Sequence, residues 1–225
     1  MTMSNPLYVA LGDSLTVGVG STLFYPDFVR QYHRILKDRF RLPVRLKVFA
    51  KNGATTADIL RSLAHPDVSE AVRQAGFLTI TGGGNDLLRA GRAWLKTGDD
   101  SIARTAVRKC LDQMERILSA ILDIHQTGPL MIRVLNLYNP LFHVPGSSLW
   151  IEQYNQGLSA LERFPFVRTA DIYQAFTGYE PYLLSFDHLH PNPAGYRLMT
   201  QVVAELGFDP YQRSGSEHTG KLPEN

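Results

Sequence analysis

Short apolar runs alternate with longer segments of helical periodicity along the chain. The short runs have the length and composition of buried strands, whereas the longer segments carry apolar residues every three or four positions, as amphipathic helices do. This alternation predicts βαβ units, and therefore an α/β fold of three layers, α/β/α, around a central parallel five-stranded sheet. The predicted strands are residues 7–11, 44–50, 77–81, 130–135 and 166–169, and the predicted helices are 25–40, 55–63, 101–125, 149–164 and 193–206.

Polar residues and glycines follow each of the first three predicted strands. The segments are GDS at 12–14, NGA at 52–54 and GGND at 83–86. All strands of a parallel sheet end at the same edge, where α/β proteins bind ligands, so these three segments are expected to meet in space. Ser14, directly after a buried strand, is either a nucleophile or a helix-capping and turn residue, and the rest of the site has to decide between them.

Composition and charge narrow the class of protein. The chain has 225 residues and is 44% hydrophobic, so we expect one sizeable core. Its net charge is only +2, so we expect no nucleic-acid partner. Its one cysteine, Cys110, excludes an intrachain disulfide, and its place in the apolar stripe of helix 101–125 predicts a buried, unreactive thiol. We expect a single domain over residues 1–212 and a disordered tail over 213–225, because that tail is polar and has no aromatic residue.

The first residues have no basic segment, and their apolar run is too short for a signal peptide or a membrane span. A cytoplasmic protein is therefore expected, with no stable membrane span and a monomeric state favoured.

The segment DHLHPN, residues 187–192, supplies the best base for a serine nucleophile. Asp187 and His190 are three residues apart, which in a turn brings a carboxylate to the imidazole Nδ1 and leaves Nε2 for the serine. His188 should point elsewhere, and His143, in an apolar loop, stays open as another base. An Asp-His-x-His metal site would need further ligands, and none stands at a suitable spacing. We expect no metal and no cofactor.

With these segments assembled, the chain resembles the SGNH, or GDSL, hydrolase family. Four blocks match in family order across residues 12 to about 192: GDSLT at 12–16, NGATT at 52–56, GGND at 83–86 and DHLHP at 187–191. Any one block is a weak signal, but four in order on the expected topology are a strong one. Within the family the chain is most similar to bacterial lipases, lysophospholipases and acylhydrolases. The resemblance implies the flavodoxin-like SGNH hydrolase fold.

The resemblance also implies a role for each matching residue. Ser14 would be the nucleophile of a serine ester hydrolase that works through an acyl-enzyme, His190 its general base and Asp187 the residue that orients His190. The backbone N–H groups of Ser14 and Gly53 and the side-chain amide of Asn85 would form the oxyanion hole. The implied partner is a small-molecule ester or lipid.

Several other classes of protein, and other roles for single residues, compete with this interpretation. An α/β-hydrolase nucleophile elbow needs Gly-x-Ser-x-Gly, but Thr16 stands at the second glycine position, and no glycine pattern fits a dinucleotide fingerprint. Gly53 could simply form the Asn-Gly turn after the second strand, with no part in an oxyanion hole. Asp13 and Asp86 are expected to brace loops. A thioesterase, a carbohydrate acetylesterase and a non-catalytic small-ligand-binding α/β domain remain open.

Apolar residues that follow the third and fourth strands could form an acyl pocket or belong to the ordinary core, since both environments are apolar. The sequence does not decide between these two roles. The residues are Leu87, Leu88, Trp94 and Leu95 after strand three, and Tyr138, Leu141, Phe142 and Val144 after strand four.

Overall fold

A computed structural model describes residues 5–22, 24–126 and 128–211 and contains one five-stranded parallel sheet. The strand order is β2-β1-β3-β4-β5, the order of flavodoxin-like doubly wound sheets, so the predicted α/β fold is confirmed. The predicted tail at 213–225 lies outside the described residues. The strands are β1 Leu7–Gly12, β2 Arg45–Ala50, β3 Ala75–Thr81, β4 Met131–Leu135 and β5 Val167–Ala170.

Helices cover both faces of the sheet, and their boundaries follow local capping signals. Thr55 caps α3 through a reciprocal capping box with Asp58, and Pro66 occupies the first turn of α4, where a missing N–H costs nothing. In the described part of the chain the helices are α1 Ser14–Val17, α2 Phe28–Phe40, α3 Thr56–Ser62, α4 Pro66–Gln74, α5 Gly84–Thr97, α6 Asp100–Ile124, α7 Ser147–Ser159, α8 Ile172–Phe176, α9 Glu180–Leu183 and α10 Pro193–Glu205, with a 3₁₀ turn at Ala160–Arg163.

The core forms two apolar layers, one on each face of the sheet. The first packs β1, β3 and β4 against α3, α4, α6 and α7, and the second packs the other face against α2, α8 and α10. Cys110 lies in the first layer with 1% of its surface exposed, and burial raises the pKa of its thiol to about 12. The prediction that Cys110 is buried is therefore confirmed.

No helix in the described ranges is both long enough and apolar enough to cross a membrane.

The end of β1 packs so closely on β3 that only glycine fits at position 12. Gly12 has a φ of +155°, and a Cβ atom there would lie 2.3 Å from Thr81 Oγ1 and 2.7 Å from the Thr81 carbonyl oxygen. Such distances are far below van der Waals contact, so the two strand ends can meet only without a side chain. This close approach brings the segment after β1 next to the segment after β3.

Candidate active site

Ser14 is the first residue of α1, and Asp13 alone separates it from the end of β1. Asp13 caps this helix: its Oδ1 accepts hydrogen bonds from the Leu15 N–H at 3.0 Å and from Thr81 Oγ1 at 2.8 Å. Burial raises the pKa of the Asp13 carboxyl, although these two hydrogen bonds oppose the shift. Asp13 therefore braces the turn, as the sequence predicted, and holds Ser14 at the carboxyl edge of the sheet.

Asp187 and His190 are directly hydrogen-bonded. Asp187 Oδ2 lies 2.6 Å from His190 Nδ1, while Asp187 Oδ1 accepts from the Leu189 and His190 N–H groups, each at 3.0 Å, and from Ser185 Oγ at 2.7 Å. Partial burial raises the pKa of Asp187, but the hydrogen bond from His190 and the other three donors outweigh it and hold the pKa well below its usual range. Asp187 is thus a carboxylate that fixes the His190 ring through Nδ1, which leaves Nε2 free.

The loop that carries His190 is held from two sides. Tyr138 Oη donates to the Leu189 carbonyl at 2.7 Å, and the Asn192 side chain caps α10 through the N–H groups of residues 194 and 195. On the other side, Gly20, with a φ of +92°, approaches so closely that a Cβ atom there would lie 2.5 Å from the Pro191 carbonyl oxygen. The segment after Ser14 therefore packs directly on the histidine loop.

The other two histidines considered for the base lie elsewhere. His188 is exposed and adopts a left-handed conformation with a φ of +53°, and its N–H donates to the Ser185 carbonyl at 2.9 Å. His143 is exposed and packs edge-on against the Phe142 ring. Neither residue lines the cavity described below.

Asn85 lies in the first turn of α5 and is tied to the loop after β2. Its Nδ2 donates to the Ala54 carbonyl at 2.9 Å, which leaves the second amide hydrogen available. The neighbouring Asp86 accepts from the Thr56 N–H at 2.9 Å and from Thr56 Oγ1 at 3.1 Å, so it braces the same two segments, as predicted. α3 and α5 are thereby fixed to each other beside Ser14.

The predicted oxyanion donors include two backbone N–H groups. Ser14 is the first residue of its helix, so its N–H has no partner within the helix. Gly53 has a φ of +78° in the turn after β2. Among the residues that the structure describes, neither N–H has a protein acceptor. Both groups are therefore available to a ligand.

A cavity of about 110 Å³ opens at this edge of the sheet. Ser14, Asn85 and His190 line its polar end, whereas Gly53 does not line it. The rest of the wall is almost entirely apolar. Seven of the eight apolar residues left undecided by the sequence line it: Leu87, Leu88, Trp94, Leu95, Tyr138, Leu141 and Val144. The eighth, Phe142, lies outside, with 42% of its surface exposed.

Sequence reasoning missed the residues that hold this arrangement together. Thr81 bonds to Asp13 and to Thr16 Oγ1 at 2.8 Å, and a polar residue that ends a buried strand was a usable signal for it. The sequence left Tyr138 open between a pocket residue and a core residue and gave no sign that its hydroxyl supports the histidine loop. That hydrogen bond joins segments distant in the chain, so no local pattern marks it.

A doubly wound parallel sheet that carries a serine, an Asp–His pair and an asparagine amide around one apolar cavity is typical of ester hydrolases. Comparison with known proteins leads to the same class. Residues 10–198 match the model of the GDSL-like lipase/acylhydrolase family, which is most of the chain. The chain belongs to this family and is a carboxylic ester hydrolase.

Two curated relatives cover most of this chain. The spore germination lipase LipC of Bacillus licheniformis is 38% identical over 203 residues, which cover 89% of this chain and 96% of LipC. The uncharacterized protein YpmR of Bacillus subtilis is 25% identical over 211 residues, covering 90% and 81% of the two chains.

Solved structures share the fold over nearly the same length. The lipase Lip_vut3 from a goat rumen metagenome superposes with a TM-score of 0.87 at 38% identity, covering 91% of this chain and 98% of its own. The acetylxylan esterase Axe2 of Geobacillus stearothermophilus has a TM-score of 0.69 at 14% identity, covering 91% and 95%, and shows the fold alone.

Proposed function

We propose that the chain hydrolyses carboxylic esters through an acyl-enzyme on Ser14, with His190 as general base, Asp187 as the residue that orients it, and an oxyanion hole from Ser14 N–H, Gly53 N–H and Asn85. One observation carries the proposal. His190, fixed by the 2.6 Å contact between its Nδ1 and Asp187 Oδ2, lines the same cavity as Ser14 and Asn85. A nucleophile, a base and a neutral donor then face one space.

In the acylation step, Ser14 Oγ attacks the ester carbonyl carbon while His190 Nε2 takes the hydroxyl proton. Asp187 keeps the Nδ1 proton in place, so that Nε2 can accept, and its negative charge stabilises the imidazolium that forms. The bond between the carbonyl carbon and the leaving oxygen then breaks. His190 returns the proton to that oxygen, so an alcohol leaves.

Negative charge develops on the carbonyl oxygen during this attack. The free N–H groups of Ser14 and Gly53 and the second Asn85 amide hydrogen are neutral donors, and they stabilise this charge without any change of protonation. The hydrogen bond from Asn85 Nδ2 to the Ala54 carbonyl at 2.9 Å supports this role, because it holds the amide next to the loop of Gly53.

Deacylation repeats the same chemistry with water. His190 removes a proton from a water molecule, the resulting hydroxide adds to the acyl carbonyl, and the bond to Ser14 Oγ breaks as His190 returns the proton to it. The products are a carboxylic acid and the free enzyme.

The apolar wall favours an apolar acyl group over the other substrates considered. A sugar acetate would leave most of this wall uncovered, and burying its hydroxyls there without partners would cost free energy. LipC and Lip_vut3, which are similar to this chain, are both named as lipases, and this supports an apolar acyl group. A thioester with the same acyl group would fit the same cavity and remains the alternative substrate.

The test is labelling and activity of wild type and Ser14→Ala. An alkyl phosphonate with a good leaving group should add once, on Ser14, and abolish hydrolysis of a p-nitrophenyl ester. Ser14→Ala should remain folded by circular dichroism and lose at least about a thousandfold in kcat, because the serine and its base act as a unit. An adduct on another residue, or an active alanine variant, would refute the assignment.

A further inference from the structure

The apolar part of the cavity runs along the axis of α5. Residues from successive turns of this helix line it, at intervals of three or four positions: Leu87 and Leu88, then Gly91, then Trp94 and Leu95. Asn85 begins the same helix at the reacting end of the cavity. A chain bound there would therefore extend from the reacting carbonyl along α5.

The far end of this path is formed at the corner between α5 and α6. Trp94 Nε1 donates to Asp100 Oδ1 at 2.8 Å, which fixes the indole where the two helices meet. Ala103 of α6 and Trp150 of α7 complete the wall, and Trp150 is nearly buried. Trp94 and Leu95 are thus the last residues of α5 that line the path.

Gly91 is the place on this wall where space is unfilled. It lines the cavity from the middle of α5, and a Cβ atom built on it meets no heavy atom within 4 Å. Glycine in a helix interior is less favourable than alanine. Its backbone is ordinary helix, so local conformation does not require a glycine at this position.

We propose that this pocket binds the acyl chain of a medium-chain ester and that Gly91 sets the chain length it accepts. The inference rests on the proposed function of Ser14 and His190. The acyl chain, not the alcohol, takes the pocket because the leaving oxygen must meet His190. His190 lies on the loop between α9 and α10, where Phe186, Asp187 and His188 are exposed, so the alcohol leaves toward solvent.

The length of the pocket follows from helix geometry. Gly91 lies six residues beyond Asn85, or about 9 Å along the axis at about 1.5 Å per residue. An extended alkyl chain advances about 1.25 Å per carbon, given a C–C bond of about 1.5 Å, so Gly91 faces roughly the seventh carbon. Trp94 lies nine residues beyond Asn85, or about 13.5 Å, which ends the path near the eleventh carbon.

The cavity volume agrees with this length. At about 110 Å³ it approaches the engineered apolar cavity of about 150 Å³ that binds benzene. It can therefore enclose on the order of six carbons, and the rest of a longer chain would lie along Leu95, which is 58% exposed. Esters of about eight to ten carbons should be the best substrates.

The experiment measures kcat/KM for p-nitrophenyl esters whose acyl chains have two, four, eight and ten carbons. Each ester is used below its critical micelle concentration. The enzymes are wild type, Gly91→Ala, Gly91→Leu and the matched control Arg92→Leu. Arg92 is exposed on the same helix and does not line the cavity, so it receives the same leucine outside the pocket. Circular dichroism and thermal melting verify that all four are folded.

Wild type and Arg92→Leu should prefer the eight-carbon ester over the four-carbon ester. Gly91→Leu should lower that ratio at least about tenfold and leave the acetate rate within a factor of three, because the blocked volume lies beyond the first carbons. The ratio for Gly91→Ala should lie between the ratios of wild type and Gly91→Leu.

An unchanged length profile in Gly91→Leu would overturn the inference, and so would an equal loss on all four esters, since that result places the effect at the reacting centre. A wild type that hydrolyses none of the esters would instead refute the proposed function of Ser14, so the two failures are distinguishable.

Discussion

Replacing Asp187 by asparagine tests whether the carboxylate works by fixing the His190 ring. Asp187 Oδ1 already accepts three hydrogen bonds, from Ser185 Oγ and from the N–H groups of Leu189 and His190. In the variant, the amide oxygen keeps these donors, because the NH₂ group cannot accept them. The NH₂ group then faces His190 Nδ1, which has to become the acceptor. The ring is driven into the tautomer that carries its proton on Nε2, and that nitrogen can no longer act as a base.

The expected loss of kcat in Asp187→Asn has two causes, the lost charge and the wrong tautomer. Charges about 4 Å apart at an effective dielectric constant near 20 attract by about 4 kcal/mol. The Asp187 side chain is 35% exposed, so solvent screening reduces this to about 2–3 kcal/mol, or about a hundredfold in rate. The wrong tautomer adds to this loss, and replacing the aspartate of a Ser-His-Asp triad by asparagine costs about 10⁴ in kcat in total, charge and tautomer together. We therefore expect a fall of about 10³–10⁴ in kcat and a KM within a factor of three.

The assay is hydrolysis of a soluble p-nitrophenyl ester, with wild type, Asp187→Asn, Asp187→Ala and His188→Asn compared at several pH values. His188→Asn is the control, because asparagine tolerates the left-handed conformation and the residue is exposed. It should keep nearly full activity. In wild type, activity should fall at acid pH, since a protonated imidazole cannot accept the serine proton. If Asp187→Asn retains more than a tenth of the wild-type kcat, the tautomer argument is wrong.

Four further expectations follow from the site and its supports. Asn85→Ala should lower kcat by about 10²–10³ and change KM little, and a change in KM alone would make it a substrate-binding residue. Gly12→Ala should lower the unfolding free energy in urea by at least about 1–3 kcal/mol, because its Cβ would overlap Thr81. Native Cys110 should resist iodoacetamide at pH 8 and react only in urea. Dialysis against EDTA should leave activity unchanged, and a loss that Zn²⁺ restores would move Asp187 and His190 to a metal site.

Stability should depend on pH through Asp187 as well. Its pKa is lower in the folded chain than in the unfolded chain, so the carboxylate stabilises the fold above about pH 4. That contribution is lost as the pH falls through the folded pKa. The unfolding free energies of wild type and Asp187→Asn should therefore differ most at pH 7, and the difference should shrink steadily as the pH is lowered below about 4, as urea titrations can measure. A constant difference at all pH values would show that the charge is not responsible.

The sheet was predictable because each strand is a short apolar run bounded by turn residues. β1 and β4 are buried along their whole length, as central strands of a parallel sheet are. The edge strand β2 is largely exposed and carries two basic residues, yet it was also predicted, as part of residues 44–50. Helix α5 was not predicted, because it begins at the last residue of a triple glycine and contains Gly91, and both features weaken a helical pattern.

The parts of the candidate site differ in how far the sequence predicts them. The Asp187–His190 contact follows from a three-residue spacing inside one turn, so the sequence was sufficient for it. The cavity shared by Ser14, Asn85 and His190 depends on three strands ending at one edge, and the topology implied it. The supports of this arrangement, Thr81 above all, depend on contacts across 65 to 68 positions of the chain, which no spacing rule describes.

The specificity of the enzyme lay beyond sequence reasoning for a physical reason. An apolar residue on a helix has the same pattern whether it fills a core or borders an empty space, so Leu88 and Leu95 could not be assigned before their neighbours were known. The distinguishing feature is missing volume, and in a sequence that volume is represented only by small residues such as Gly91 and Ala103. Both line the cavity, on two helices that a Trp94–Asp100 hydrogen bond joins. If Ser14, Asn85 and His190 act as we propose, changes at such small positions would alter the shape of the pocket without disturbing these three residues, and relatives that share the GDS, GGND and DHLHP blocks would then differ in the acyl chain they prefer.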